Sequence, residues 1–428
     1  MGGAPLPKAS VRFRGLAPRI PPTAVCAAIY AVSIAALLLS HLGRGWGFVD
    51  LTIYRDGGEA VLSGAHLYDL RFPGALAFTY PPLAALLFTA LTLPSMTLLK
   101  ALLTGANLLL LPLMLGFALR LSPLEVSVTR ARAAGMALLG SALALWLEPV
   151  WTTLRYGQVD LLIGAVILYD LSRPDGSRWK GSGIGLAVAI KLTPAIFALY
   201  LLLTRRLRAA AVSLAVFLGA VALGFALIPG DSRAFWGGDF LRSGRVGRIE
   251  NAANQSLRGA WSRLLHSMSV ETVWLCAAAL VLLTGMTLAV LAGRRGDDAR
   301  GFSLCALTGL LISPISWTHH WALAVPALML LATDAHRRRS KVAFLAAAAV
   351  AVLALIHVTW WVPVNRPRHS ELHLSALQLI YSNAYVAIAL IALAAASVSA
   401  LRSRRARSPA RPGADAAGGL LASRAGAG

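Results

Sequence analysis

Residues 22–42 read PTAVCAAIYAVSIAALLLSHL, and this stretch decides the fold. It carries no Asp, Glu, Lys or Arg. As a helix rising about 1.5 Å per residue it is long enough to cross about 30 Å of hydrocarbon. Comparable apolar stretches recur along the 428 residues, which are 57% hydrophobic and only 14% charged. The mean hydropathy is +0.68. A soluble chain of this length would be far more polar. The aliphatic runs lack sustained period-two alternation, which argues against an outer-membrane barrel. The sequence therefore predicts an all-α polytopic membrane protein.

The net charge of +22 is distributed in short clusters between the apolar runs. That is the positive-inside pattern. No basic domain interleaved with aromatics is present, so nucleic acid is not an expected partner. Lys8, Arg12, Arg14 and Arg19 place residues 1–21 in the cytoplasm as a basic N-terminus. No convincing Ala-x-Ala site follows the first apolar segment, so it reads as a retained helix rather than a signal peptide. Residues 43–80 then emerge outside.

Charge parity gives the 81–119 region one crossing, with Pro81-Pro82 lying partly in the interface. It places two short helices either side of Lys191-Leu192-Thr193-Pro194, where proline breaks the chain. The count reaches about twelve crossings with both termini inside. The transmembrane domain runs over 22–400, with outer loops at 43–80, 229–270 and 363–375. The first of these loops is expected to hold re-entrant or interfacial helices. Residues 401–428 read as a disordered basic cytoplasmic tail. Cys26, Cys276 and Cys305 are dispersed in or beside apolar stretches and make neither a disulfide framework nor a metal site.

Asp50 follows the first crossing, within Phe48-Val49-Asp50-Leu51-Thr52-Ile53-Tyr54. A carboxylate at the mouth of a membrane helix suits a general base acting on a lipid-borne substrate. Its plainer reading is a cap on the next helix. The same outer face collects Arg55, Tyr80, Gln158, Asp160, Lys191, Arg245, Arg248, Asn254, Trp317, His319 and His320. Ionisable groups near membrane depth are costly and usually functional.

Plain alternatives stand beside these. Lys191 could snorkel to the interface, and the histidines could belong to an aromatic belt with Trp317 and Trp321. Arg242, Arg245 and Arg248 could be a solvated helix face. The sequon Asn254-Gln255-Ser256 is read as accidental. His319 and His320 could ligate metal, but they are adjacent and no carboxylate cluster lies near them in sequence, so no metal is expected.

The ordered set Val49-Asp50-Leu51-x-x-Tyr54, Phe78-Thr79-Tyr80-Pro81-Pro82, Tyr156-Gly157-Gln158, Lys191-Leu192-Thr193-Pro194, Asn254-Gln255-Ser256-Leu257 and Ser313-Pro314-x-Ser316-Trp317-x-His319-His320-Trp321 spans roughly 45–325. It resembles the polyprenol-phosphate-mannose-dependent mannosyltransferases of actinobacteria, in glycosyltransferase family 87 of the GT-C superfamily. The resemblance implies an inverting transfer that needs no metal or other cofactor. Mannose would leave a polyprenyl phosphate for a hydroxyl of a phosphatidylinositol mannoside, lipomannan or lipoarabinomannan. The new link would be α-1,2, made on the periplasmic face of the bacterial plasma membrane.

By that resemblance Asp50 is the base. His319, His320, Lys191, Arg55, Tyr80, Arg245 and Arg248 would serve the donor phosphate and sugar. Gln158, Asp160, Asn254 and Trp317 would serve the acceptor. One departure is Asp160, where the family pattern leads to an expectation of asparagine. Two other readings stand beside this one. One is a polyprenol-phosphate-arabinose-dependent arabinosyltransferase. The other is a transporter or flippase of a polyprenyl-linked sugar, which should show paired repeats and mid-membrane polar groups.

Overall fold

The opening apolar stretch forms helix α1 (Thr23–Ser40). The structure, a computed structural model, describes residues 21–41, 46–72, 76–123, 129–362 and 369–405. The expected basic N-terminus and most of the expected tail lie outside the described residues, as do 363–368 of the last outer loop.

Helices follow in order: α2 (Val49–Ser63), α3 (Pro82–Phe88), α4 (Met96–Leu121), α5 (Arg130–Ala144), α6 (Glu148–Tyr156), α7 (Asp160–Ser172), α8 (Ser182–Ile190) and α9 (Ala195–Leu203). Then come α10 (Leu207–Leu227), α11 (Pro229–Trp236), α12 (Leu257–Leu264), α13 (Glu271–Gly293), α14 (Asp298–Ile312), α15 (Val325–Arg337), α16 (Lys341–Leu355), α17 (Ala376–Ser382) and α18 (Ala384–Arg405). Among the described residues the only strand-like pairings are two isolated bridges, Phe72 with Leu76 and Asn254 with Trp317.

Five helices are long and apolar enough to cross a membrane: α1, α4, α10, α13 and α18 up to Arg402. A sixth span results if α5 and α6, bent by 76° at Leu145–Leu147, count together. The crossing count of about twelve is not confirmed. Several stretches read as crossings form helices of 9 to 15 residues, α7, α8, α9, α14, α15 and α16 among them. At about 1.5 Å per residue such helices fall short of the hydrocarbon thickness and depend on neighbours.

Other readings hold. The chain breaks between Ile190 and Ala195, at Lys191–Pro194. The Pro81-Pro82 portion forms its own short helix ahead of the single long α4. The 43–80 segment, expected as the first outer loop, carries α2. Between α10 and α13, the polar loop contains the unanticipated helices α11 and α12.

Packing follows from side-chain hydroxyls that satisfy carbonyls between helices. Tyr30 of α1 donates to the Leu108 carbonyl of α4 at 2.6 Å, and Ser33 donates to Ala142 of α5 at 2.8 Å. Near the other end, Arg206 grips Asp298 with two parallel bonds of 2.8 and 2.7 Å. Bidentate pairs of this kind fix geometry as well as charge. Between α10 and α13, Arg263 of α12 is fully buried. Its guanidinium donates to Asn383 Oδ1 and to the carbonyls of Glu250, Asn251 and Asn254. Burial pushes its pKa down to about 9.

Candidate active site

Phe48 turns into the left-handed region, with φ 45°, just before α2 begins. Its amide donates to the Arg155 carbonyl at 2.9 Å, tying the start of α2 to the end of α6. Asp50 is thus the second residue of α2, and no side chain caps that helix. The plainer reading of Asp50 as a cap does not hold.

Across from it, Gly157 ends α6 with φ +71°. A Cβ there would lie 2.8 Å from Leu51 Cβ. Only glycine suits both the conformation and the approach of α2. The next residue, Gln158, is buried. Its Oε1 accepts from the hydroxyls of Tyr54 at 2.7 Å and Tyr80 at 3.2 Å. Those two donors fix the amide orientation, leaving its NH2 group free to lower the pKa of the neighbouring Asp50 carboxyl. Asn107 donates to the Gln158 carbonyl at 3.2 Å and holds the backbone.

Burial raises the Asp50 carboxyl to about 6, against the pull of the Gln158 bond and the Lys191 charge. Desolvation disfavours the anion and here outweighs both.

Lys191, set free of helix by the α8–α9 break, donates to Asp160 Oδ1 at 2.6 Å. Its ammonium also lies 5.8 Å from the centre of the Tyr80 ring. With 12% of its side chain exposed it does not snorkel. Asp160 Oδ2 and both ring nitrogens of His319 are buried without a partner among the described residues. The rings of His319 and His320 meet edge to face at 4.6 Å, and Tyr156 meets His319 likewise at 5.7 Å. Burial and the Lys191 charge hold both imidazoles well below their ordinary pKa, so both are neutral at pH 7.

Asp160, His319 and His320 each offer a ligand atom, and these lie within 4.8 Å of one another. The carboxylate absent from the histidines' sequence neighbourhood is supplied in space by α7. A small cation could be held there, but the Lys191 ammonium already sits against Asp160.

These groups face one cavity of about 730 Å³. Asp50, Tyr80, Gln158, Lys191, Arg245, Trp317, His319 and His320 line it. Asp160 reaches it only through Lys191. Arg55, Arg248 and Asn254 do not line it. Arg245 donates to the Tyr68 carbonyl at 2.5 Å and lies 3.7 Å from Asp239. Arg248 pairs with Glu371 at 3.1 Å. Arg245 turns inward from a 3-10 turn and Arg248 lies in irregular backbone, so the two do not form a solvated α-helical face; Arg242, at 72% side-chain exposure, is the solvated one.

Asn254 is fully buried. Its Oδ1 accepts from the Ser316 amide at 2.9 Å and its Nδ2 donates to Ile249 at 2.8 Å. It positions the Trp317 segment from behind, and as a sequon it is inaccessible. Sequence reasoning assigned no role to Arg155, Glu371 or the apolar wall formed by Phe235, Phe240 and Leu241. Arg155 had a signal, its place beside Tyr156-Gly157-Gln158. Glu371 had none.

Residues 78–314 match glycosyltransferase family 87. The chain belongs to that family. Over 336 residues, 76% of this chain and 75% of the relative, it is 36% identical to the polyprenol-phosphate-mannose-dependent alpha-(1-2)-phosphatidylinositol pentamannoside mannosyltransferase of Mycobacterium tuberculosis (strain CDC 1551 / Oshkosh). It is 33% identical over 368 residues, 81% of this chain and 82% of the relative, to the polyprenol-phosphate-mannose-dependent alpha-(1-2)-phosphatidylinositol mannoside mannosyltransferase of Mycolicibacterium smegmatis. A counterpart of the latter from Mycobacterium tuberculosis (strain ATCC 25618 / H37Rv) is 32% identical over 370 residues, 82% of this chain and 85% of the relative. No solved structure matches significantly. This family 87 member is thus a multi-pass membrane glycosyltransferase, and its cavity is the place to seek the chemistry.

Proposed function

We propose that the enzyme moves mannose from polyprenyl-phosphate-mannose to a hydroxyl of a phosphatidylinositol mannoside, forming an α-1,2 link on the periplasmic face. The relatives' names support the donor and the acceptor class. The observation that carries the reading is Asp50, a half-buried carboxylate beside Gln158 at the wall of a cavity that also holds neutral imidazoles and Lys191.

The step is a single displacement. The acceptor oxygen bonds to the anomeric carbon while the bond from that carbon to the phosphate oxygen breaks. The hydroxyl proton passes to Asp50, and polyprenyl phosphate departs with the bond's electron pair. One base and no covalent intermediate suffice for inversion.

The leaving phosphate gains negative charge and needs donors. His319 and His320 offer neutral N–H groups, and Lys191 offers a charge that is already desolvated. Lys191 does the work a divalent metal would otherwise do, so the transfer is read as metal-independent. Tyr80 flanks the same groups, and Arg245 stands further along the cavity. Gln158 and Trp317 line the acceptor side. Asp160 and Asn254 act through Lys191 and Trp317. Arg55 and Arg248, away from the wall, support α2 and the Glu371 segment.

The test is a membrane assay with radiolabelled polyprenyl-phosphate-mannose and phosphatidylinositol mannoside acceptors. Asp50→Asn is expected to lose about 100-fold or more of the transfer while folding normally. Near-wild-type transfer by that variant would remove Asp50 as the base. Transfer that proceeds without any polyprenyl donor would sink the assignment.

A further inference from the structure

Arg155 lines the cavity, yet no group described above uses its charge. It lies four residues after Trp151 on α6, on the same face. Its guanidinium is 5.1 Å from the Trp151 ring and 5.1 Å from the Trp360 ring. The two indoles meet edge to face at 5.4 Å. The clamp is preassembled. Trp151 Nε1 donates to His41 Nε2 at 3.0 Å. Thr359, beside Trp360, donates to the buried Glu148 carboxylate at the start of α6. So one short helix carries Trp151, Arg155 and the anchor that sets Trp360.

The other cations on the cavity wall have partners: Lys191 has Asp160, and Arg245 has Asp239 and the Tyr68 carbonyl. Among the described residues Arg155 pairs with no carboxylate and donates to no carbonyl. Two aromatic faces hold a guanidinium in place but leave its charge and its in-plane N–H groups unspent. A planar fork presented that way matches the oxygens of a phosphate. Trp46, Trp151 and Trp360 gather round it with His41 and His357, an aromatic belt of the kind found at headgroup depth.

We propose that Arg155, clamped between Trp151 and Trp360, is a second phosphate-binding site, which takes the phosphodiester of the acceptor lipid. The assignment to the acceptor rests on the mannosyl-transfer reading above. The donor's phosphate must adjoin the reacting carbon, near Asp50, and the cation whose field reaches Asp50 is Lys191. In a phosphatidylinositol mannoside the diester lies several bonds from the reacting hydroxyl. A separate cation at headgroup depth suits it, and makes the site select anionic lipid acceptors over uncharged mannosides.

Full-length protein in uncharged maltoside micelles is titrated by calorimetry with short-chain phosphatidylinositol and with short-chain diacylglycerol, which lacks the phosphate. Arg155→Gln is expected to weaken phosphatidylinositol binding by about 10-fold or more, with Arg155→Lys between, since hydrogen bonds to a charged group are of that size. Diacylglycerol binding should not change. Equal affinity in wild type and Arg155→Gln overturns the proposal, as does a wild type that binds the two lipids alike.

In the transfer assay Arg155→Gln should raise KM for the phosphatidylinositol mannoside and leave kcat with octyl α-mannoside unchanged. A raised donor KM with an unchanged acceptor KM gives the site to the donor phosphate and overturns the acceptor assignment. An equal loss with both acceptors, together with a lowered Tm, shows a packing residue and also overturns it. Arg155-dependent lipid binding in a wild type that transfers no mannose leaves the phosphate site standing while the transferase reading fails.

Discussion

At the residue scale the proposed reaction turns on how Asp50 would be kept available as a base. Burial lifts its carboxyl to about 6, so the anion predominates at pH 7 and disappears as pH falls through that value. A base acts only when deprotonated, so kcat/KM should fall tenfold per pH unit below about 6 and level off above it. A pH profile of transfer checks this. Replacing the neutral amide beside it, Gln158→Glu, puts a second carboxylate next to Asp50. Like charges cannot both ionise at that separation, so the acid limb should move to higher pH.

Lys191 and Asp160 form a buried pair whose members do unequal work. Lys191→Met leaves Asp160 charged and alone, which should cost about 3–5 kcal/mol of stability. Adding Asp160→Asn removes the stranded charge. The double variant should regain most of the lost Tm in detergent but none of the lost transfer. Recovery of activity as well would show that the charge of Lys191 is not needed by the reaction.

At the scale of elements, the site depends on α2 lying close to the end of α6. Gly157 permits that approach, because a Cβ would meet Leu51 at 2.8 Å and the φ of +71° strains any other residue. Gly157→Ala should push α2 outward and lower kcat by about 10-fold or more, since small displacements of a base are expensive. Gly105→Ala, where nothing lies within 4 Å, is the matched control and should be silent.

These elements were unevenly legible in the sequence. Apolar length alone announces α1, α4, α10, α13 and α18, because the bilayer sets a minimum length for an unsupported span. Proline at 194 announces the break that frees Lys191. The short helices α11 and α12 sit in a polar loop and run only eight residues each, too short for the helical spacing of Leu257, Ala260, Trp261 and Leu264 to stand out. The crossing count of about twelve is not confirmed for the related reason that a buried nine-residue helix and half of a span look alike in composition. Tyr54, Tyr80 and Gln158 were each visible as motif residues. Their convergence on one amide oxygen was not, since it depends on contacts across 78 and 104 positions.

At the scale of the whole molecule, the charge clusters and the cavity make one prediction about sidedness. In a Cys276→Ser background, which removes the exposed native thiol, Arg242→Cys should react with a membrane-impermeant maleimide in spheroplasts. Arg178→Cys, on the opposite set of loops, should react only after permeabilisation. The reverse labelling would place the cavity on the cytoplasmic face.

The cavity wall also has a side. Phe240 and Leu241 line it while remaining 41% and 73% exposed. If those faces meet hydrocarbon, the pocket is continuous with the phase in which a polyprenyl chain is dissolved. Withdrawing such a chain into a closed site would cost about 0.8 kcal/mol for each methylene moved out of lipid if water replaced it. Here the tail stays where it is and only the headgroup changes surroundings. Isoprenoid length should then act as an anchor and hardly as a specificity element. Donors a few isoprene units shorter should show similar KM when their surface concentration in the membrane is held equal.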